Sequence, residues 1–137
     1  MNRHELQRQF LTLGFFAAAI PATLSAFAWI YFLISLDHYT LADRAIGLMV
    51  GLLVIFHFIK TSLFVMHRSS VTEQTETLIH MTGLVLTMIG SAWLIWAIHL
   101  GLSSADWEYY GLIGAAVTLA QGCLSVLMIR QRSVGLV

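Results

Sequence analysis

The sequence predicts an all-α protein, an integral membrane bundle of four transmembrane helices, and three observations support this prediction. Of the 137 residues, 58% are hydrophobic and only 10% are charged. The mean hydropathy is +0.82, whereas soluble domains carry roughly 25% charged residues. Four stretches are long and apolar enough to cross a bilayer, which takes about 20 residues. The composition therefore argues against a water-soluble enzyme and against a disordered tail.

The four apolar spans account for most of the chain and predict a single transmembrane domain over residues 1–137. They are expected at about 10–36, 45–66, 77–100 and 109–129. The connections between them are short and carry most of the charged residues. The first apolar run continues through residues 29–34, further than the apolar region of a signal peptide extends. We therefore expect an uncleaved first helix.

The distribution of basic residues predicts that both the N- and C-termini are cytoplasmic, because cytoplasmic segments carry an excess of Lys and Arg. The arginines at the end of the bundle that carries the termini are Arg3, Arg8, Arg68, Arg130 and Arg132. Only Arg44 falls at the opposite end. All four tryptophans and all four tyrosines fall in the outer half of the spans, where such side chains favour the interface. We expect a protein of the bacterial inner (plasma) membrane.

Small residues at four-residue spacing predict where the helices approach one another, because helices in lipid associate through close packing and polar contacts. The residues in this pattern are Gly14, Ala18, Ala22 and Ala26 in the first span, Gly47 and Gly51 in the second, and Gly114 and Gly122 in the fourth. Two interpretations are open. These faces pack within the bundle, or they contact another subunit.

Polar side chains on three spans fall at similar depth, near the middle of the bilayer. At 1.5 Å per residue, His57 and Thr87 lie about 16 Å from the charged residues that end their spans. On the same measure Thr118 and Gln121 lie roughly 18 and 13 Å deep, and Lys60 about 12 Å. One interpretation is hydrogen bonding within the bundle, with His57 bonded to Thr87 or Gln121 and Lys60 extended towards the surface. The other is a polar relay or pore for protons or ions.

No cofactor is predicted from the chain alone. Two histidines at matching depth can hold haem iron, but His57 has no such partner within this sequence, which leaves a haem shared with a second subunit as an alternative. Residue types that suit zinc or copper occur near the outer surface, at His38, His99, Asp106 and Glu108. Their spacing matches no recognised metal signature, and we expect solvated residues there.

The start of the third span resembles a stretch of known proton-channel subunits. Residues 83–90 read GLVLTMIG, which is similar to the GLLGTVIG stretch of the ExbB, TolQ and MotA families. The matching positions are Gly83, Leu84, Thr87, Ile89 and Gly90. The resemblance implies that Thr87 lines a pore and that a partner subunit supplies the aspartate. The fourth span lacks the threonine-rich pattern of those families.

These observations predict a non-catalytic accessory or scaffold subunit of a larger membrane complex, in contact with lipid and with other membrane subunits or further copies of itself. No HExxH, GxSxG or Gly-rich phosphate motif occurs, so we expect no enzyme activity. Seven Lys and Arg balance seven Asp and Glu, which argues against nucleic-acid binding. The alternative is a proton or ion channel or transporter subunit that uses the polar layer around His57. A third is a haem- or quinone-associated redox subunit.

Overall fold

The computed structural model describes residues 2–37, 39–67, 72–103 and 109–133, and 94% of these residues are helical. The helices in this part of the chain are α1 (Arg3–Ser35), α2 (Leu41–Met66), α3 (Glu73–Ser103) and α4 (Tyr109–Ser133). Each of the four contains a segment long and apolar enough to cross a membrane. The prediction of an all-α fold with four apolar helices is confirmed.

α1, α2 and α3 begin earlier than the predicted apolar spans, and polar residues cap the first turns of α1 and α2. α1 begins at Arg3, where the side chain of Asn2 accepts a hydrogen bond of 2.8 Å from the backbone N–H of Glu5. α2 follows a capping box, in which Thr40 and Asp43 each bind the backbone N–H of the other. Caps of this kind satisfy N–H groups that have no partner within the helix. Hydropathy does not register them, and the predicted spans are therefore shorter than the helices.

Arg44, the basic residue that departs from the predicted charge distribution, binds the end of α1. Its guanidinium donates hydrogen bonds to the carbonyl oxygens of Leu36, at 3.0 Å, and of Tyr39, at 3.4 Å. The last carbonyl groups of a helix have no intrahelical partner and carry partial negative charge. The position of Arg44 therefore has a local cause, since it joins the first turn of α2 to the end of α1.

The helices form a ring in the order α1, α2, α3, α4. α1 packs against α2 and α4, and α3 packs extensively against α4 and less extensively against α2. Consecutive helices are antiparallel, as shown by the approach of Gly47 to Leu33 and of Gly51 to Ile30 between α1 and α2. In this ring α2 and α4 lie across a diagonal. A side chain that joins them must cross the interior of the bundle.

The apolar interior consists of two clusters, one in each half of the bundle. The half that carries the chain termini contains mostly large buried side chains: Leu11, Phe15, Ala19, Phe64, Ile79, Met128 and Ile129. The half that carries the α1–α2 connection contains Ala22, Ala26, Val54 and Leu86. Pro21 lies between the two on α1, and the helix continues through it.

The small residues predicted to mediate helix contacts lie between helices of this chain. Ala18, Ala22 and Ala26 are buried, and each of the five predicted glycines faces a neighbouring helix. Gly14 lies against Leu124. A Cβ added at Gly14 would lie 3.5 Å from a side-chain carbon of Leu124, an ordinary van der Waals distance. Their placement agrees with packing within the bundle, the first of the two interpretations.

A buried polar cluster as the candidate functional site

The buried polar side chains of the described interior are concentrated on the facing sides of α2 and α4. His57 and Thr61 of α2 and Gln121 and Ser125 of α4 are each completely buried, with 0% of their surface exposed. We refer to these four residues as the polar cluster. Polar groups enclosed among helices in a membrane are costly unless they bind one another, and the hydrogen bonds of the cluster therefore decide what it can do.

Both ring nitrogens of His57 have partners on α4. The Nδ1 atom lies 3.0 Å from Nε2 of Gln121, and the Nε2 atom lies 2.9 Å from Oγ of Ser125. Thr61, one turn further along α2, places its hydroxyl 3.5 Å from the same Nε2 atom. These bonds connect residues 64 and 68 positions apart in the sequence. They hold α2 to α4 across the diagonal of the ring.

The directions of these hydrogen bonds follow from the carbonyl group of Val54. That oxygen only accepts, and it lies 3.4 Å from the amide nitrogen of Gln121, so the NH₂ group is on this side and donates to Nδ1 of His57. The Nδ1 atom therefore carries a lone pair, and Nε2 carries the proton of the neutral ring. Nε2–H donates to Ser125, whose hydroxyl donates in turn to the carbonyl of Gly122 at 2.8 Å.

The carbonyl oxygen of the Gln121 side chain has no hydrogen-bond partner among the described residues. It is buried, although the amide nitrogen of the same group has two acceptors within reach. Buried side-chain acceptors are satisfied in the large majority of cases, by protein or by ordered water. The cluster is thus complete around His57 and incomplete at one atom of Gln121.

Aromatic rings enclose the side of the cluster that faces α1. The ring of Phe15 meets the imidazole of His57 edge to face, with centroids 6.1 Å apart, and stacks with Phe58 at 6.5 Å. Phe16 meets both of these phenylalanine rings edge to face. The imidazole of His57 therefore packs against an aromatic ring of α1 on this side.

No protein family model, curated protein or solved structure matches this chain. The candidate function therefore rests on the geometry of its own residues. A neutral imidazole with both nitrogens bonded is suited to joining helices. Its ring offers no unpaired nitrogen to a metal or a haem iron within the described structure.

Two of the predicted relay residues, Lys60 and Thr87, form no hydrogen bond with the cluster in the described structure. The amine of Lys60 lies 5.8 Å from the ring centroid of Phe56, a cation–π contact between two residues of α2. Thr87 donates its hydroxyl to the carbonyl of Gly83 on its own helix at 2.8 Å, and its oxygen lies 3.9 Å from Sγ of Cys123. The structure therefore brings His57 and Gln121 together, and it does not add Lys60 or Thr87 to them.

Thr61 and Ser125 belong to the cluster although depth alone did not point to them. Each lies four residues after a predicted member, Thr61 after His57 and Ser125 after Gln121. Residues four apart share a face of a helix, so this spacing is the signal that identifies both hydroxyls. Serine and threonine are common in spanning helices, so a hydroxyl residue alone does not indicate a polar cluster. Its spacing from a buried histidine or glutamine does.

The stretch 83–90 brings the backbones of α3 and α4 into close contact. A Cβ on Gly90 would lie 2.6 Å from the backbone nitrogen of Leu119, and one on Gly122 would lie 2.7 Å from the carbonyl oxygen of Gly83 and 2.7 Å from the backbone nitrogen of Thr87. The backbones of α3 and α4 therefore touch along this stretch. Thr87, which the family resemblance places in a pore, faces α4 of the same chain here.

A cleft of about 60 Å³ lies next to the polar cluster, in the half of the bundle with the α1–α2 connection. All four helices line it, among other residues through Ala22, Trp29, Val54, Trp93 and Thr118. Thr118, a predicted relay residue that is 4% exposed, is one of the residues that line this cleft. The cleft and the cluster are thus adjoining but distinct features.

The predicted metal candidates are not brought together in the part of the chain that the structure describes. His38, Asp106 and Glu108 lie outside the described residues, and His99 lies near the end of α3. Within the described ranges, no three His, Cys, Asp or Glu side chains are placed to hold a metal ion.

Proposed function

We propose that this protein is a non-catalytic accessory or scaffold subunit of a larger membrane complex, in a bacterial inner membrane with both termini in the cytoplasm. One observation carries the proposal. Both nitrogens of His57, the titratable side chain that is completely buried among the described residues, bind α4 of the same chain. Its hydrogen-bonding capacity is used to hold the bundle together, which is the role expected of a structural subunit.

The surface of α3 is the face we assign to the partner subunit. Only 17% of its spanning window is buried within the bundle, compared with 50% for α4. Its exposed large side chains include Met81, Met88 and Ile95, which are 60%, 70% and 70% exposed. Methionine side chains adapt to irregular partners because they are unbranched and polarisable. Among the four spanning windows, that of α3 therefore has the smallest buried share, which leaves this helix surface for a second protein.

Native mass spectrometry after gentle extraction from the native membrane tests the proposal. We expect subunits of distinct mass to accompany the chain, and a Met88→Trp substitution to release them. Met49→Trp is the matched control, because Met49 is 71% exposed but lies on α2. A homo-oligomer without other proteins would overturn the accessory role. Equal loss of partners in both variants would remove the assignment to α3.

A proton or ion channel or transporter subunit is the second candidate. It is favoured by one observation: Thr118, which lies one turn from Gln121, is one of the residues that line the cleft. If the path passes the polar cluster, flux into proteoliposomes should fall when His57 is replaced by phenylalanine. Unchanged flux in the His57→Phe protein would rule out a proton or ion path through the polar cluster. A haem shared with another subunit, or a quinone-associated role, predicts visible absorbance or bound quinone in the native complex.

A further inference from the structure

Lys60 carries the one formal charge within the four predicted spans. It is the only Lys, Arg, Asp or Glu in 10–36, 45–66, 77–100 and 109–129, and it is the only lysine of the chain. Ionisable side chains at membrane depth are costly, and they usually pair with an opposite charge or with backbone carbonyl groups. What lies opposite its amine therefore decides the role of this residue.

The side chain of Lys60 extends towards the middle of its span. Its amine lies 5.8 Å from the ring centroid of Phe56, four residues earlier on α2. An amine extended towards the end of α2 at Met66 would lie much farther from that ring, because residues four apart are offset by about 6 Å along a helix. Lys60 itself is six residues before Met66, about 9 Å from that end of the helix. The amine is therefore directed away from the phospholipid headgroups at the nearer surface.

No carboxylate of the described chain neutralises this amine. The acidic residues in the described ranges all lie outside the predicted spans, and they are Glu5, Asp37, Asp43, Glu73 and Glu76. The contact of the amine within the bundle is the cation–π contact with Phe56, which leaves the positive charge in place. A second copy of this chain brings no carboxylate to this depth, because its spans are the same.

Lys60 lies on the side of α2 that faces α3. Gly51 and Phe58 contact α1, and at about 100° per residue Lys60 lies about 180–200° around the helix from both. The neighbour of α2 on that side of the ring is α3, which packs less extensively against α2 than against α4. Lys60 is half-buried, and the nearby Phe56 and Leu63 are 40% and 46% exposed. The amine thus lies at an exposed seam beside α3.

We infer that this seam receives a spanning helix of the partner subunit, and that this helix carries an Asp or Glu side chain at the depth of Lys60. The carboxylate accepts hydrogen bonds from the amine, and the two charges neutralise each other within the bilayer. The inference rests on the accessory role proposed above and adds the chemistry that recognises the partner. A protein carboxylate is favoured over a phospholipid phosphate, because the amine is directed away from the headgroups. The partner is a different protein, since the spans of this chain contain no Asp or Glu.

Paired substitutions of Lys60 test this recognition. Lys60→Met removes the charge and keeps an unbranched side chain, whereas Lys60→Arg keeps the charge. Native mass spectrometry after gentle extraction measures how much partner accompanies each protein. We expect Lys60→Met to retain at least about tenfold less partner than the unsubstituted protein, because loss of one member of a desolvated charge pair weakens association strongly. Lys60→Arg should retain most of the partner.

Two controls separate recognition from folding. Both Lys60 variants should keep the helicity of the unsubstituted protein, because the amine forms no hydrogen bond or ion pair with the described residues. Ile59→Met introduces the same side chain at the preceding position, which is 51% exposed, and it should keep the partner. Met49, the control position for the α3 surface, lies about 16 Å along α2 from Lys60 and outside this contact.

A membrane-permeant carbodiimide identifies the carboxylate in the native complex. The reagent joins an amine to an adjacent carboxylate as an amide, and it takes up the water that is released. Because Lys60 is the only lysine of the chain, the cross-linked peptide that contains it identifies the acidic residue of the partner. We expect an Asp or Glu within an apolar spanning segment. Exchange of that residue for lysine, combined with Lys60→Glu, should restore the complex.

Each contrary outcome has a distinct meaning. Equal amounts of partner with Lys60→Met and with the unsubstituted protein would overturn the inference and leave the accessory role standing. Loss of the partner from Lys60→Met and Lys60→Arg alike would overturn it as well, because the charge would then not be the recognised feature. Loss of a bound anionic phospholipid from Lys60→Met, with the partner retained, would assign the amine to a lipid phosphate instead. Absence of any partner from the unsubstituted protein would overturn the accessory role, and this inference with it.

Discussion

In the half of the bundle that carries the chain termini, α1 contributes Leu11 and Phe15 to the interior, whereas in the other half the same helix contributes Ala22 and Ala26. The first half is filled, with Phe15 packed among aromatic rings. The second half contains the cleft. The polar cluster lies at the boundary between them. The change from Leu11 and Phe15 to Ala22 and Ala26 along α1 therefore accompanies the change from an interior of large side chains to one with a cleft.

The strongest test of this difference is to replace one buried alanine by leucine in each half of the bundle. Ala19 is completely buried in the filled half, whereas Ala22 lines the cleft. Ala19→Leu should reduce the free energy of unfolding by about 2–3 kcal/mol, because overpacking forces side chains and backbone to shift. Ala22→Leu should change it by less than about 1 kcal/mol, because the cleft accepts part of the added volume.

SDS titration in mixed micelles, with helicity as the signal, measures both values. An equal loss in the free energy of unfolding in the two variants would show that the halves are packed alike. A larger loss for Ala22→Leu than for Ala19→Leu would show that the half with the cleft is the more tightly packed one.

The contact of α3 with α4 provides a second test, because the backbones of the two helices approach each other closely at Gly90 and Gly122. Gly90→Ala should cost about 1–2 kcal/mol, since the new Cβ would lie 2.6 Å from the backbone of Leu119. Gly14→Ala is the matched control, because its Cβ meets only the side chain of Leu124, at 3.5 Å. The same titration applies. Indistinguishable stabilities of the two alanine variants would refute the close backbone contact.

Four helices and their approximate positions are predictable from hydropathy, because the requirement to cross a bilayer sets both length and composition. The pairing of His57 with Gln121 is predictable in part, since both lie at similar depth. Depth does not reveal which way a helix face points, and Thr87 and Lys60 share the depth of the cluster without joining it. Glycine contacts at Gly83 and Gly90 set the rotation of α3, and these two residues are seven positions apart, outside the four-residue pattern of small residues.

The connection between α1 and α2 gives the smallest expected effect. Arg44→Met should lower the free energy of unfolding by about 0.3–1 kcal/mol, the range for one charged side chain at a helix terminus. The loss arises from the hydrogen bonds to Leu36 and Tyr39. Arg44→Lys should recover only part of it, because an ammonium group lacks the two-pronged geometry of a guanidinium. A stability unchanged in Arg44→Met would show that these bonds contribute nothing.

The central claim is that the polar cluster joins α2 to α4 as a structural contact, and a double-mutant cycle on His57 and Gln121 tests it most directly. His57→Phe and Gln121→Met should each reduce the free energy of unfolding by about 1–3 kcal/mol, because each leaves a buried partner unsatisfied. The double variant should lose less than the sum, by a coupling energy of about 0.6–1.7 kcal/mol. A parallel cycle of His57→Phe with Thr82→Val should show no coupling, since the hydroxyl of Thr82 bonds its own helix. Strict additivity of His57→Phe and Gln121→Met would contradict the claim.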